Sequence, residues 1–353
     1  MIKYCCASCF GDNGLKKNII PSLSPDFGDC SYCGTKGIEI IEPHALFDHF
    51  SSLINIYENH PDGKSLVAHL KEDWKLFSHP LLDEAHAKEL LGDILDDGNI
   101  VRKTFVLSDD YKSESLALWD HLCQELMYEN RYFLNKSLDT DRLGELLSFL
   151  ALDDFSKTWY RARIYADDAA FTIDKMGAPP KRLVSHGRAN PTGIPYLYLG
   201  SKPDTALSEI RPHTGDRACV ADFTLKDNLT LIDLRNPRET VSPFLLTDPG
   251  EMGKMLADIP FLERLGYELT RPVLPKSAAL DYIPSQYICE FIKKTGFHGV
   301  LYSSSVSEGI NLALFDPLNA TGGNVSIYDI DKVEVSVSKQ DLYTLCLIIT
   351  NRD

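Results

Sequence analysis

The fold class is decided by residues 299–315, GVLYSSSVSEGINLALF. Both ends of this stretch are short apolar runs, and a Ser- and Gly-rich segment separates them, which predicts two strands. Runs of the same kind predict strands at 158–164, 196–199, 218–225, 229–233, 299–302, 310–315 and 333–337. Helices fit between them at 203–211 and 283–295. Many strands with few helices predict an α+β domain built on a strongly bent or split mixed sheet.

Upstream of these strands, residues 42–150 have helical spacing instead. Apolar faces around Leu46, Leu70, Leu91, Leu122 and Leu146 predict a bundle of helices. Ser65 and Asp141 are the expected N-caps. The composition changes near residues 151–157 without a flexible linker. We therefore expect the bundle to pack against the strand-rich part.

The cysteines near the start of the chain have the spacing of a metal site. Two Cys-x2-Cys knuckles supply the pattern, Cys6 with Cys9 and Cys30 with Cys33. Their thiolates suit a tetrahedral Zn²⁺, and such a closed site holds structure without an open position for substrate. Gly34 supplies a tight turn, and Cys5 is the spare cysteine because adjacent residues cannot both ligate one closed site comfortably. The alternative is a set of buried free thiols, which is also how we interpret Cys219 and Cys289.

Composition and charge exclude several classes of protein. The chain has 353 residues, with 36 Lys and Arg against 51 Asp and Glu, a formal charge of −15. Nonspecific binding to nucleic acid or anionic membrane needs clustered cations, whereas an anionic small molecule needs only a few local arginines. No apolar run reaches the ~18 residues of a membrane span, and the start lacks the apolar core of a secretory signal. We therefore expect a cytoplasmic protein with reduced thiols.

A series of motifs follows in order along the strand-rich part. They are WYR at 159–161, GRANPTG at 187–193, YLYL at 196–199, ALSE at 206–209, and YSS at 302–304 followed by GINLALF at 309–315. In this order they resemble the RES domain, a family named for its characteristic Arg, Glu and Ser, over residues 155–350. The cysteine frame with Phe10, Asp12 and Leu15 resembles the N-terminal domain found ahead of some RES domains and grouped with HEPN domains. The chain then divides into a zinc knuckle at 1–41, a helical domain at 42–152 and a RES domain at 153–353.

The resemblance implies a toxin that consumes NAD⁺ and has a fold similar to ADP-ribosyltransferases. Such domains split the nicotinamide–ribose bond and pass ADP-ribose to water, phosphate or a target protein. They arrest growth or abort phage infection, and usually occur with an antitoxin that blocks the NAD pocket. The residues that the resemblance selects for catalysis are Glu209, Ser304 and Tyr198. Those that it selects for binding NAD⁺ are Arg161, Arg188, Asn190, Tyr198 and Ser304.

The chemistry of these side chains agrees with those roles. The planar fork of an arginine suits a pyrophosphate, which makes Arg161 and Arg188 candidate clamps. Cleavage develops an oxocarbenium ion, and a fixed carboxylate such as Glu209 stabilises it. The ring of Tyr198 stacks on nicotinamide or ribose, and Ser304 bonds the nicotinamide amide or a phosphate. Asn190 supports its loop or a ribose hydroxyl.

Alternatives stay open for the site residues and for the function. Neighbours that compete for these roles are Arg163, Tyr196, Ser303, Ser305, Arg211 and His213. A binding module that senses NAD or ADP-ribose, and docks a partner through the zinc–helical part, is the alternative function. RNA cleavage of the HEPN type is disfavoured, because no Arg of the helical part is followed by His at the required spacing. The acceptor of ADP-ribose, the identity of an antitoxin or regulatory partner, and a homo-oligomer are left open.

Overall fold

The structure is a computed structural model that describes residues 2–23, 25–135, 138–165, 169–334 and 337. Its α-helices are α1 Ala7–Phe10, α2 Ile20–Ser22, α3 Phe47–Ile54, α4 Leu66–Trp74, α5 Glu84–Leu95, α6 Ser115–Gln124, α7 Thr140–Ser148, α8 Ile173–Met176, α9 Pro203–Glu209, α10 Pro237–Thr240, α11 Pro249–Thr270, α12 Ala278–Asp281 and α13 Ile283–Lys294. Its strands are β1 Asp26–Gly28, β2 Ile38–Ile40, β3 Tyr57–Ser65, β4 Thr104–Leu107, β5 Ala151–Leu152, β6 Thr158–Tyr165, β7 Leu197–Gly200, β8 Arg217–Leu225, β9 Leu231–Asp233, β10 Gly299–Ser303, β11 Ile310–Leu314 and β12 Ala320–Asp329.

The C-terminal part is built on one mixed sheet of eight described strands. Their order is β12-β8-β6-β7-β11-β10-β9-β5. Strands β9 and β10 are parallel, with Leu231 opposite Gly299, and the other neighbouring pairs are antiparallel. The central strands β10 and β11 are buried along almost their whole length, as expected for strands covered on both faces. The α+β prediction, with a mixed sheet in the C-terminal part, is confirmed.

Most of the predicted strands coincide with observed ones, from β6 to β11. The prediction of a strand at 333–337 is wrong for residues 333, 334 and 337, which belong to no strand, while 335 and 336 lie outside the described residues. The edge strand is β12 instead, which pairs with β8 and bulges between Gly322 and Val325. The Gly322-Gly323 pair of β12 weakens the strand signal in the sequence. Pairing with β8 stabilises the strand although these residues have low strand propensity.

Helices α3 to α7 lie where the helical spacing predicts them. The predicted cap Ser65 is confirmed, since its Oγ accepts a hydrogen bond from the amide of Ala68 at 3.3 Å. Asp141 as a cap is wrong, because the side chain of Asp139 accepts from the amides at the start of α7 and Asp141 lies within the first turn. This part also contains an unpredicted antiparallel pair, β3 with β4.

The longest described helix, α11, has 22 residues and was not predicted from the sequence. Asp248 caps it by accepting from the amide of Glu251, and Pro249 occupies its first position. Pro260 and several glycines lower its intrinsic propensity, so burial must stabilise it. The apolar side chains that it buries include Met252, Met255, Ile259, Leu262, Leu265 and Leu269. α11 packs against α3 and α6 of the N-terminal part and against α13 and β10 of the C-terminal part.

A single apolar cluster joins the two parts of the chain. It contains Phe10 and Trp119 from the N-terminal part, and Leu262 and Phe315 from the C-terminal part. At the predicted boundary, β5 pairs with β9 and forms an edge of the large sheet. The division at 41 and 152 stays a prediction. Within the described ranges, no helix has the length and apolar character needed to cross a membrane.

Candidate functional site

A cleft of about 440 Å³ opens beside the middle of the large sheet. This volume lies within the usual ~300–1,000 Å³ of small-molecule sites. Its walls come from β6, β7 and α9, from the loop that carries Arg188, from the segment between α11 and α13, and from the β10–β11 connection. The residues that line it include Tyr160, Arg161, Gly187, Arg188, Tyr198, Glu209, Arg211, Tyr282, Tyr302, Ser305 and Asn311.

Arg161 brings a positive charge into the cleft from the middle of β6. Its Nη1 donates to the carbonyl oxygen of Tyr198 at 3.1 Å, and its buried Nε has no hydrogen-bond partner among the described residues. Burial, with a smaller contribution from the neighbouring Arg163, lowers the pKa of Arg161 to about 10. The cleft therefore holds a guanidinium whose charge no carboxylate of the described residues compensates, which favours an anionic ligand.

Glu209 stands at the end of α9, and its position is fixed by two neutral side chains. Its Oε1 accepts from the hydroxyl of Ser304 at 2.7 Å and from the amide Nδ2 of Asn311 at 2.6 Å. Ser304 and Asn311 are both buried, whereas Glu209 is exposed in the cleft. The Ser304 hydroxyl also accepts from the amides of Val306 and Ser307, which fixes its direction. No cation of the described part of the chain pairs with this carboxylate, and its exposed position brings the negative charge to the cleft.

Asn311 was not among the predicted site residues, although it lies inside one of the motifs. Its position on β11 opposite Tyr302 brings its side chain to Glu209. A buried polar side chain within an apolar run, INLAL, is the sequence signal that could have identified it.

The loop around Arg188 is organised by the hydroxyl of Tyr198. That oxygen accepts from the amides of Ala189 and Asn190 at 2.9 and 3.2 Å and donates to Oδ1 of Asn190 at 2.7 Å. The amide Nδ2 of Asn190 binds the carbonyls of Ser185 and Pro191. Asn190 thus supports the loop, one of the two roles considered for it, and binding of a ribose hydroxyl by Asn190 stays a prediction. The Tyr198 ring lines the cleft, while its hydroxyl is used by the loop.

Gly187 makes room for this arrangement. A Cβ atom on Gly187 would stand 2.4 Å from Oδ1 of Asn190 and 2.6 Å from the hydroxyl of Tyr198. The glycine is therefore required by the packing of the loop on Tyr198.

Arg188 is held at the opposite wall of the cleft. Its Nη1 donates to the carbonyl oxygen of Arg271 at 2.8 Å, and its guanidinium lies 5.1 Å from the centre of the Tyr282 ring. The hydroxyl of Ser285 donates to the carbonyl of Arg188 at 2.6 Å. The structure therefore brings Arg161, Arg188, Tyr198 and Glu209 to one cleft, with Ser304 bonded to Glu209.

Among the residues that compete for these roles, Arg163 and Tyr196 have other contacts, whereas Ser305 and Arg211 line the cleft. Arg163 packs its guanidinium on Phe171 and donates to the carbonyl of Lys175, and it does not line the cleft. Tyr196 is buried against Phe315. Ser305 and Arg211 do line the cleft, and Arg211 has a left-handed φ of 48° just after α9.

The four predicted metal ligands also come together, at the start of the chain. The sulfur atoms of Cys6, Cys9, Cys30 and Cys33 all lie within 4.8 Å of one another, and all four residues are buried. The Sγ–Sγ distance is 4.0 Å from Cys6 to Cys9, 3.5 Å from Cys6 to Cys33 and 3.4 Å from Cys9 to Cys30. A tetrahedral ion with Zn–S bonds of ~2.3 Å requires sulfurs about 3.8 Å apart, so the cluster fits a metal ion of this kind.

The local backbone explains how the knuckles converge. Cys9 lies in the short helix α1, which begins just after Cys6, and Cys30 and Cys33 lie in the turn that follows β1. Gly34 has a φ of +72°, the left-handed conformation expected of the tight turn. Cys5 pairs its backbone with Ile41 and is not part of the cluster, and burial raises the pKa of its thiol.

Comparison with known proteins places the C-terminal part of the chain in a family. A family model described as the RES domain matches residues 158–334, half of the chain. Among solved structures, the chain is similar to one described as the crystal structure of the M. tuberculosis MbcT–MbcA toxin–antitoxin complex, at 14% identity over 53% of this chain and 91% of that chain, with a TM-score of 0.29. No curated protein matches the chain. Because the family match covers half of the chain and includes the large sheet except β5, we conclude that this protein belongs to the RES domain family.

Proposed function

We propose that the cleft binds NAD⁺ and cleaves its nicotinamide–ribose bond, as the resemblance to NAD-consuming RES toxins implies. The observation that carries the proposal is the pairing, in one cleft, of an uncompensated buried guanidinium with a carboxylate fixed by neutral donors. NAD⁺ has one group that suits the guanidinium and another that suits the carboxylate. Its pyrophosphate is anionic, and its ribose carbon becomes positive as the glycosidic bond breaks.

In this proposal the arginines bind and the carboxylate promotes bond cleavage. Arg161 and Arg188 hold the pyrophosphate from the β6 and Arg271 sides of the cleft, since a guanidinium matches phosphate oxygens in pairs. The bond between the ribose carbon and the nicotinamide nitrogen breaks, and its electron pair leaves with neutral nicotinamide. Glu209 stabilises the oxocarbenium ion that forms, at a position set by Ser304 and Asn311. The ring of Tyr198 stacks on nicotinamide or ribose. An oxygen of the acceptor then bonds to the ribose carbon, and a protonated acceptor such as water passes its proton to Glu209 or to solvent.

The cysteine cluster has a separate, structural role in this proposal. We assign Zn²⁺ to Cys6, Cys9, Cys30 and Cys33, because four thiolates satisfy its tetrahedral preference and leave no open position for substrate. The zinc holds the N-terminal knuckles together and takes no part in the reaction.

At the level of the cell, the proposed activity depletes NAD⁺ and arrests growth, or aborts phage infection. An antitoxin or another regulatory protein then keeps the enzyme inactive until it is released. The alternative is a module that binds NAD or ADP-ribose without turnover and signals through the N-terminal part.

Incubation of the purified protein with NAD⁺ decides between these functions. We expect release of nicotinamide, with the second product identified by mass spectrometry at several phosphate concentrations. Free ADP-ribose identifies water as acceptor, a phosphorylated ADP-ribose identifies phosphate, and a mass increase on protein identifies a protein target. Binding of NAD⁺ without release of nicotinamide would support the sensor instead. Neither binding nor turnover would contradict both functions.

A further inference from the structure

We infer that Glu268, a buried carboxylate on α11, is a positioning residue that holds Arg188 in the cleft through Arg271. The inference rests on the proposed function, because it takes Arg188 as a contact of the pyrophosphate. Glu268 does not line the cleft. Its effect on a ligand must therefore pass through other side chains.

The first step is the ion pair between Glu268 and two arginines. The Glu268 side chain is only 5% exposed. Its Oε1 accepts from Nε of Arg264 at 2.9 Å, and its Oε2 accepts from Nε of Arg271 at 2.8 Å. A buried carboxylate with such partners holds both in place, because moving either one removes the ionic hydrogen bond of one oxygen of a desolvated carboxylate.

The second step is the position of Arg271, which is held at several points. Its amide donates to the carbonyl of Tyr267 at 2.8 Å and ends α11, while its Nε bonds Glu268. Its Nη2 donates to the carbonyl oxygen of Asp281 at 2.8 Å. The guanidinium of Arg271 thus ties the end of α11 to the segment that precedes α13.

The third step connects these anchors to Arg188. The carbonyl oxygen of Arg271 accepts from Nη1 of Arg188 at 2.8 Å. Tyr282, whose ring lies under the Arg188 guanidinium, directly follows the Asp281 that Arg271 binds. Both contacts of the Arg188 guanidinium therefore depend on where Arg271 lies, and Glu268 fixes Arg271. A guanidinium held in place before the ligand arrives loses less rotational freedom on binding, which raises affinity.

A double-mutant cycle tests whether Glu268 acts through Arg188. On the Glu209→Gln background, which slows turnover by two to three decades, NAD⁺ affinity is measured by calorimetry for Glu268→Gln, for Arg188→Ala and for the two combined. We expect Glu268→Gln to weaken binding roughly fivefold or more while Arg188 is present, and less than twofold once Arg188 is removed. Equal effects of Glu268→Gln in both backgrounds would overturn the inference, because a merely structural role does not depend on Arg188.

Glu263→Gln is the matched control. It makes the same substitution on the same helix and breaks the Glu263–Arg238 pair, whose two contacts measure 2.7 and 2.9 Å and lie away from the cleft. We expect it to leave NAD⁺ affinity unchanged. If Glu263→Gln weakens binding as much as Glu268→Gln does, general loosening of α11 explains both, and the inference fails.

A second measurement needs no NAD⁺ and separates this inference from the proposed function. Hydrogen exchange followed by mass spectrometry reports on the amides of Ala189 and Asn190, which donate to Tyr198. We expect faster exchange at residues 187–190 in Glu268→Gln and in Arg271→Met, and no change in Glu263→Gln. Arg271→Met removes the contact of Arg271 with Glu268 but leaves Glu268 paired with Arg264. It is the variant to use if Glu268→Gln does not fold. Unchanged exchange in the loop overturns the inference whether or not NAD⁺ binds, whereas absent NAD⁺ binding with faster exchange would contradict only the proposed function.

Discussion

The cysteine cluster and the cleft are both assembled from distant segments, but they differ in how their chemical groups are satisfied. In the cluster, four equivalent thiols face one another within 4.8 Å and are sealed from solvent. In the cleft, Glu209 and Tyr198 are each held by other polar groups, while Arg161 keeps a buried nitrogen that no described residue binds. A closed set of four thiols that leaves no open position is the arrangement expected of a structural metal site. A site that retains uncompensated charge beside a cavity indicates a larger ligand that enters and leaves.

The largest effect that separates the two regions is expected from the metal. Structural zinc contributes an apparent ~10–16 kcal/mol to the folding of small zinc domains, so Cys30→Ser should release the ion and unfold the N-terminal knuckles. Elemental analysis should find one zinc per chain before the change and none after it. Cys5→Ser is the control, since Cys5 is buried outside the cluster and the zinc should remain. Freshly purified, unchelated protein without metal would contradict the zinc assignment.

The next effect should be confined to the cleft. Glu209→Gln keeps the shape of the side chain and removes the charge that stabilises the oxocarbenium ion. Loss of one such electrostatic contribution costs about 3–4 kcal/mol in the transition state, so turnover should fall by two to three decades while NAD⁺ binding survives. The measurements are cellular NAD⁺ after expression and nicotinamide release in vitro. Glu290→Gln, an exposed position on α13, should deplete NAD⁺ as the parent does. Equal depletion by Glu209→Gln would reject Glu209 as the catalytic carboxylate.

The difference between the cysteine cluster and the cleft also explains how much could be predicted from the sequence. The cluster depends on identical residues at fixed short spacing, and the knuckles at Cys6 and Cys30 predicted it without knowledge of the fold. The cleft residues Arg161 and Glu209 were selected through the family resemblance, because a lone Arg on a strand or Glu on a helix carries little signal by itself. Asn311 and Arg271 were missed because their roles arise from strand pairing and from the packing of α11. Pro260 and the glycines of α11 conceal that helix from periodicity rules, and tertiary packing overrides their low propensity.

A third prediction tests whether the uncompensated charge serves a ligand. On the Glu209→Gln background, Arg161→Ala should weaken NAD⁺ binding ten- to a hundredfold, since a charge-assisted hydrogen bond contributes ~1.5–3 kcal/mol. Arg161→Lys should restore binding only in part, because an ammonium cannot make the paired contact. Arg163→Ala is the control two residues along the same strand, where the side chain lies on Phe171 away from the cleft. Calorimetry with less than twofold loss in Arg161→Ala would show that the cleft has been assigned to the wrong ligand.

The smallest expected effect concerns a polar network in the N-terminal part whose residues do not line the cleft. Nδ1 of His69 lies 3.2 Å from a carboxylate oxygen of Asp73, and Nε2 lies 2.8 Å from the carbonyl oxygen of Phe105. Both partners accept hydrogen bonds, so the ring binds both only when it is protonated. The hydrogen bond to Asp73 raises the pKa of His69, against the opposing effects of burial and of Lys64.

The sign of the resulting pH dependence follows from that raised pKa. Below the ordinary histidine pKa of about 6.5 the ring is protonated in both the folded and the unfolded chain, and the network contributes its full stabilisation. As pH rises through the higher folded pKa, the ring loses its proton and the contribution disappears. The urea midpoint of unfolding should therefore decline, as pH rises from the ordinary pKa of about 6.5 through the higher folded one, more in the parent than in His69→Gln. His121→Gln, at an exposed position on α6, should follow the parent. If the urea midpoint of His69→Gln declines as much as that of the parent, the network stabilises the protonated and the neutral ring equally. The stability of the N-terminal part would then not depend on the proton of His69.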